Sequence, residues 1–245
     1  MTELKTYYVW DANIRRFHWV NLICVLGLIA VGVVILNSKA LGVSSDGKIL
    51  LKTIHVWIGY VFALNLLWRL VWAAMRDDRA GWRAILPWGQ DYVSELRAYM
   101  AAIRAGNTRQ YLGHNPLGRI AVSLLFLLLF IQAVSGLVLA GTDLFYPPLG
   151  SVIAGWIAGP GVEPSSLVPY AKEMYDAAAY EEMRSFRKPF ITMHYYVFYL
   201  LLVLSLLHIV AVVMTELREG GNLISAMFTG SKILKDKPAD MKESE

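Results

Sequence analysis

Residues 120–141 read IAVSLLFLLLFIQAVSGLVLAG and contain no charged side chain. An α-helix rises about 1.5 Å per residue, so a run of about 20 apolar residues crosses the hydrocarbon core of a membrane. The stretch therefore predicts a transmembrane helix. Three further runs have a comparable length and composition, at residues 19–36, 53–75 and 190–214. We predict an all-α fold, an integral membrane four-helix bundle.

The composition also favours a membrane protein. The chain has 245 residues, of which 56% are hydrophobic and 17% are charged, and its mean hydropathy is +0.46. Soluble domains are less apolar. We expect one membrane domain over residues 1–231 and a polar, disordered tail over residues 232–245. The single cysteine, Cys24, excludes an internal disulfide, a cysteine-ligated iron–sulfur cluster and a CxxCH haem attachment.

The distribution of Lys and Arg predicts the orientation of the chain. With four spans, the two termini and the segment between the second and third spans share one side, which holds sixteen of the twenty-three basic residues. Basic residues are retained on the cytoplasmic side. We therefore predict a multi-pass protein of the bacterial inner membrane with both termini cytoplasmic. Residues 142–189 then form a long external loop suited to binding, and a basic helix from Tyr92 lies on the inner lipid leaflet.

Four of the five histidines pair by their depth in the membrane. His18 lies at the cytoplasmic start of the first span, and His208 lies near the cytoplasmic end of the fourth. His55 and His194 lie near the external starts of the second and fourth spans. In a four-helix bundle, this order predicts an inner pair and an outer pair.

Helical periodicity predicts which side chains share the groove with these pairs. His194 and His208 are fourteen residues apart, which is within about 40° of four whole turns and rises about 21 Å. Fourteen residues after His18 comes Gly32, which would make room near the outer pair. Fourteen residues after His55 comes Arg69, near the inner pair. Gly59, one turn after His55, would relieve crowding in the same way.

Paired histidines of this kind are typical axial ligands of haem b. An imidazole inside a membrane is costly unless it is bonded, and ionisable groups there usually have a function. Two pairs about four turns apart cannot surround one zinc ion, whereas each pair can bind the two faces of one haem. For any single histidine, a hydrogen bond across helices explains the residue almost as well. We predict two haem b groups, with His18, His55, His194 and His208 as ligands of the iron atoms.

Four stretches of the chain carry a family resemblance, namely YYVWDANIRRFHW from Tyr7, KTIHVWIGYVFALNLLWRLVWA from Lys52, LGHNPLGRIA from Leu112 and LREGGNLISAMFTGSK from Leu217. With them the chain resembles the bacterial di-haem cytochrome b561 family, which includes the b-type cytochrome subunits of membrane-bound nickel–iron hydrogenases. The resemblance implies the same four ligands, a periplasmic redox partner that delivers electrons to the outer haem, and a quinone that is reduced near the inner haem.

Depth and polarity alone select the residues of a possible quinone site. His114 is best explained as a capping or interfacial residue, with proton delivery to a quinone as the lesser alternative. Arg69 is the one charge inside a span, and it either pairs with a haem propionate or extends its charged end to the interface. The residues selected are Trp19, Asn21, Arg69, His114 and Asn115.

The favoured function is an electron-transfer subunit, which performs no substrate chemistry of its own except at the quinone. The external loop is longer than expected for a hydrogenase subunit, so the partner could also be a multihaem cytochrome c or another periplasmic oxidoreductase. A histidine-based proton or ion transporter is an alternative, but the first, third and fourth spans are almost free of charge. A simple membrane anchor would leave the histidine pairs unexplained. No nucleic-acid partner is expected.

Overall fold

The computed structural model describes residues 4–107, 109–220, 222–235 and 237–241. This part of the chain is mainly α-helical and contains a single two-stranded antiparallel sheet. The helices are α1 (Ala12–Leu36), α2 (Ser45–Ala74), α3 (Trp82–Ile85), α4 (Tyr92–Arg104), α5 (Pro116–Leu144), α6 (Gly150–Ile157), α7 (Ala177–Glu219) and α8 (Leu223–Thr229), and the strands are β1 (Lys5–Tyr8) and β2 (Ser231–Leu234).

Four of these helices, α1, α2, α5 and α7, are long and apolar enough to cross a membrane. This confirms the predicted all-α membrane fold with four spans. Each helix begins before the predicted span, because residues next to the apolar run continue the helix as far as a polar capping residue. The basic helix expected from Tyr92 is also present, as α4.

A polar side chain caps the first turn of all four long helices. The side-chain oxygen accepts a hydrogen bond from a backbone N–H of the first turn, which would otherwise have no partner. Every long helix therefore starts at a defined residue. The capping contacts are Asp11 Oδ1 with Ile14 N (2.9 Å), Ser44 Oγ with Gly47 N (3.1 Å), Asn115 Oδ1 with Gly118 N (2.7 Å) and Asp176 Oδ1 with Ala179 N (2.9 Å).

The chain divides into two compact units, and each unit contains segments of all four long helices. One predicted histidine pair falls in each unit. The first unit comprises the chain up to Trp19, the segment Leu66–Leu127 and the chain from Leu201 onward, and the second comprises Val20–Asn65 and Leu128–Leu200.

The C-terminal segment is ordered where the sequence predicted a disordered tail. Strand β2 pairs with β1, and Lys232 within it is only 4% exposed. The Lys232 ammonium donates hydrogen bonds to the carbonyls of three consecutive residues at 2.7–3.3 Å, namely Tyr111, Leu112 and Gly113. The carboxylate of Asp240 accepts hydrogen bonds from the backbone N–H groups of Leu112 and Gly113, both at 2.7 Å. These contacts order the segment despite its polar composition, and residues 242–245 of the predicted tail lie outside the described part.

The external segment is also more structured than the predicted loop over residues 142–189. Helix α5 continues to Leu144, α7 already begins at Ala177, and α6 lies between them. The apolar side chains of this segment form their own core against α7, which explains why the segment is folded. The most buried residues of that core are Ile153, Ala154, Ile157, Leu167 and Met183.

We predict that Lys232→Met lowers the thermal stability of the chain. The substitution keeps the apolar stem but leaves three carbonyls without their donor, and hydrogen bonds to a charged group contribute roughly 1.5–3 kcal/mol. Thermal unfolding in detergent, followed by tryptophan fluorescence, measures the effect. Lys235→Met is the matched control because the Lys235 side chain is exposed. Equal melting temperatures for the two variants would show that the buried ammonium does not hold this segment.

Candidate functional site

His55 and His194 face each other in the second unit. Their ring centroids are 6.3 Å apart, and the ring planes make an angle of 71°. His55 comes from α2 and His194 from α7, as the depth argument predicted. The two imidazoles therefore approach each other from different helices with a gap between them that can hold a metal ion.

Each of these two rings lies against a glycine of a neighbouring helix. A Cβ atom on Gly32 of α1 would be 3.4 Å from His55 Cε1, and one on Gly136 of α5 would be 3.3 Å from His194 Cε1. A Cβ atom at Gly136 would press slightly on the His194 ring and one at Gly32 would reach van der Waals contact with the His55 ring, so the two glycines leave room for the imidazoles. Gly59 is different, since a Cβ there would meet no protein atom within 4 Å. The protein crowding predicted at Gly59 is therefore absent, and its role beside a haem stays a prediction.

Two polar residues of α5 contact His194, and neither contact was predicted from the sequence. Ser135, which is fully buried, has its Oγ 3.0 Å from His194 Nδ1, and the same hydroxyl donates to the Ile131 carbonyl at 2.8 Å. Its oxygen is thus available to accept a hydrogen bond from Nδ1–H. The amide nitrogen of Gln132 lies 3.1 Å from His194 Nε2. The signal was visible in the sequence, because these are two of the few polar residues in the 120–141 run.

His18 and His208 belong to the first unit. They lie close enough to interact electrostatically, and each is partly buried. The Nδ1 atom of His18 is buried and has no hydrogen-bond partner among the described residues. A buried ring nitrogen without a partner is costly, so this imidazole fits a position that a bound group would complete.

Arg69 is buried in the same unit, with only 5% of its surface exposed. Its guanidinium lies over the rings of Phe17 and Phe126, at 6.0 and 5.6 Å from the ring centroids. Within the described part of the chain, the Nη1 atom finds no hydrogen-bond acceptor. A side chain that extends to the membrane interface would be exposed, so this burial favours a role inside the bundle, and the pairing of Arg69 with a propionate stays a prediction.

The other residues proposed for a quinone site have different environments. Trp19 donates from Nε1 to the Met227 carbonyl at 3.0 Å, and Asn115 caps α5 while its amide donates to the Tyr99 hydroxyl at 2.7 Å. Both side chains therefore have structural roles. Asn21 belongs to the second unit, where its buried Oδ1 lacks a hydrogen-bond partner among the described residues.

His114 precedes α5 and packs against Trp10, with 5.2 Å between the ring centroids. Asn115, rather than His114, provides the helix cap. Burial lowers the pKa of His114 to about 3, and the positive charges of Lys232 and Arg69 act in the same direction. The imidazole is therefore neutral at physiological pH.

Among the described residues, no group of three or more His, Cys, Asp or Glu side chains converges on a possible metal site. His55 and His194 face each other in one unit, and His18 and His208 both belong to the other unit. Four apolar spans that carry two such pairs are the arrangement of a multi-pass membrane cytochrome of the b type.

The family model of prokaryotic cytochrome b561 matches residues 9–230. The chain belongs to the prokaryotic cytochrome b561 family, which confirms the resemblance seen in the sequence and implies haem b as the cofactor.

Similar curated proteins carry a common name. A protein of Cupriavidus necator, "Probable Ni/Fe-hydrogenase B-type cytochrome subunit", is 23% identical over 244 residues, which cover 96% of this chain and 90% of that protein. A protein of the same name from Rhizobium leguminosarum bv. viciae is 25% identical and covers 96% and 92% of the two chains. The "Probable Ni/Fe-hydrogenase 1 B-type cytochrome subunit" of Escherichia coli K12 is 28% identical over 147 residues, covering 56% of this chain and 61% of that protein.

We predict that His114 makes the chain less stable in mild acid. The unfolded chain binds a proton at this imidazole near pH 6.5, whereas the folded chain does so only near pH 3. Between pH 7 and pH 5, this difference removes about 2 kcal/mol of stability. His114→Gln should therefore lose less stability over that interval, as measured by melting temperature. If the unaltered chain and His114→Gln lose the same stability between pH 7 and pH 5, His114 is protonated in the folded chain and its assignment as neutral is wrong.

Proposed function

We propose that this chain is the membrane electron-transfer subunit of a nickel–iron hydrogenase. It carries two haem b groups, the outer one bound by His55 and His194 and the inner one by His18 and His208. Electrons pass from the periplasmic hydrogenase subunits through the outer and inner haems to a quinone. The observation that carries the proposal is the placement of four histidines on three of the four spans, with His55 facing His194, in a cytochrome b561 chain.

The outer pair fits a haem iron. Two imidazole nitrogens that bind opposite sides of one metal ion at roughly 2 Å each would place the ring centres about 6 Å apart. The observed separation is 6.3 Å. The Ser135 hydroxyl beside His194 Nδ1 supports the tautomer in which Nε2 is free to bind a metal, a role that acceptors beside metal-binding histidines commonly have.

Gln132 is a second polar side chain of α5 beside this ring. Its amide nitrogen lies 3.1 Å from His194 Nε2, and its Oε1 is buried without a partner in the described part of the chain.

The inner pair fits a haem through its buried polar groups. The unpartnered Nδ1 of His18 and the unpartnered Nη1 of Arg69 belong to the same unit. A buried donor without an acceptor is unfavourable, and Nη1 of Arg69 is such a donor among the described residues. A haem propionate would supply an acceptor for it, and we propose that Arg69 binds a propionate of the inner haem.

Haem supplies one-electron redox chemistry, and the chain sets its potential through ligands, burial and nearby charge. The relatives' shared name supports hydrogenase as the partner, and two of the alignments cover 96% of this chain, including the external segment. The distribution of basic residues supports the orientation, with the outer pair toward the periplasm of a bacterial inner membrane. The external segment is then available to the hydrogenase, in preference to a multihaem cytochrome c.

For quinone reduction, the structure leaves His114 and Arg69 as the stronger of the proposed residues. Trp19 and Asn115 already have hydrogen-bond partners within the protein. The neutral His114 can donate or accept a hydrogen bond, which suits a quinone oxygen. We propose that the quinone binds on the inner side, near His114.

We predict that single histidine substitutions separate the two haems. In membranes that contain the hydrogenase, H₂ should reduce both haems of the unaltered chain. His18→Ala should remove the inner haem and leave the outer haem reducible by H₂, whereas His55→Ala should remove the outer haem and block reduction of the inner one. Haem content and visible spectra measure these effects, with His114→Ala as a control that retains both haems.

Two results would contradict these assignments. If His55→Ala and His208→Ala abolish the same spectral component, the proposed pairing is wrong. If H₂ leaves both haems oxidised in unaltered membranes while another periplasmic donor reduces them, the partner is a different oxidoreductase.

We predict that Arg69→Gln shifts the inner haem to a more negative potential. A nearby positive charge favours the reduced haem, so its removal favours the oxidised state. A change in the local field of about 1.4 kcal/mol corresponds to roughly 60 mV for one electron. A redox titration should find the outer haem almost unchanged, and Arg76→Gln serves as the control because Arg76 is exposed and paired with Asp78. Retention of both haems at unchanged potentials would exclude Arg69 from the haem site.

A further inference from the structure

A cluster of charged side chains in the second unit joins three of the long helices. Asp143 of α5 forms ion pairs with Lys52 of α2 and with Arg187 of α7, the latter at 2.7 Å. The hydroxyl of Tyr170, from the external segment, contacts the Lys52 ammonium. The three charged side chains are largely buried, with exposed fractions of 17% for Lys52, 14% for Asp143 and 23% for Arg187.

The register of the helices relates this cluster to the outer histidine pair. Lys52 precedes His55 by three residues, and Arg187 precedes His194 by seven, so each cation lies on the helix face of its histidine. The offsets correspond to rises of about 4.5 and 10.5 Å toward the external ends of α2 and α7. Asp143 in turn follows Gly136, the glycine against His194, by seven residues.

The charges within this cluster do not balance. Two cations share one carboxylate, and the net positive charge is largely shielded from water. Arg187 Nε lies 2.7 Å from Asp143 Oδ1 but is not in hydrogen-bonding geometry with any described residue. Desolvated charge of one sign is unfavourable, and an additional anion would neutralise it. Arginine and lysine together suit a carboxylate, which can accept several charge-assisted hydrogen bonds.

We propose that Lys52 and Arg187 form a binding site for a propionate carboxylate of the outer haem, with Asp143 as the shared counter-ion. This site rests on the proposed ligation of that haem by His55 and His194. Tyr170 connects the site to the external segment. The cluster thus binds the edge of the haem and sets its reduction potential.

The test compares charge variants of the purified holo-protein by redox titration of the outer haem. Lys52→Gln and Arg187→Gln each remove a positive charge and should shift its midpoint potential negative. Asp143→Asn removes the negative charge and should shift it positive. A tenfold change in the reduction equilibrium corresponds to about 59 mV for one electron. Lys188→Gln is the matched control, because Lys188 is adjacent to Arg187 but exposed, and it should leave the potential unchanged.

A second measurement distinguishes propionate binding from nearby charge alone. Reconstitution with haem whose propionates are methyl esters removes the carboxylates, so the shift caused by Lys52→Gln should largely disappear. If Lys52→Gln loses the outer haem, Lys52→Arg should restore it. A shift of full size with the ester haem would overturn the proposed site. The proposed site would also be overturned if the charge variants change the melting temperature but leave the potential of the outer haem unchanged. The cluster would then only stabilise the packing of the helices.

The spectrum of the unaltered protein separates failure of this site from failure of the proposed function. Two bis-histidine haems in the unaltered chain, with no effect of the charge variants, would overturn only the propionate site. An outer haem that is absent, or that does not depend on His55 and His194, would overturn both.

Discussion

An imidazole inside a membrane loses the hydrogen bonds that water provides, and it must recover them from the protein or from a bound group. In the second unit, His194 recovers such contacts from the protein, because Ser135 lies beside one of its ring nitrogens and Gln132 beside the other. His55 does not, since its buried Nδ1 atom has no hydrogen-bond partner among the described residues. The glycines behind the two rings leave room for the imidazoles. The arrangement of helices around the outer pair depends on this need to accommodate two polar rings in apolar surroundings.

The sequence predicted the long-range features well because they depend on simple periodicity and on hydrophobic length. Four apolar runs indicated the four long helices, and the depth of His55 and His194 indicated that they would meet. Gly32 was found by counting helical turns, and a Cβ there would indeed contact the His55 ring. Features that follow from the rise and turn of a helix can therefore be read directly from a membrane sequence.

The parts that the sequence did not predict depend on tertiary contacts between distant residues. Nothing local distinguishes Lys232 from the other lysines of the tail, yet three carbonyls more than one hundred residues away bury its ammonium. The contact of Ser135 with His194 depends on how α5 and α7 pack. The segment between these helices folds because its apolar residues pack against Met183 of α7. The position of Arg69 in the sequence left a functional and an interfacial role open, and its burial against Phe17 and Phe126 is a tertiary feature that favours the former.

Helix α7 carries one histidine of each pair, His194 in one compact unit and His208 in the other. Under the proposed ligation, neither haem site is complete until this last long helix has entered the membrane. A ribosome that has produced only the first three spans has made a chain without any finished cofactor site. Under that ligation, haem binding is a late event in the biogenesis of the chain, because both sites need α7.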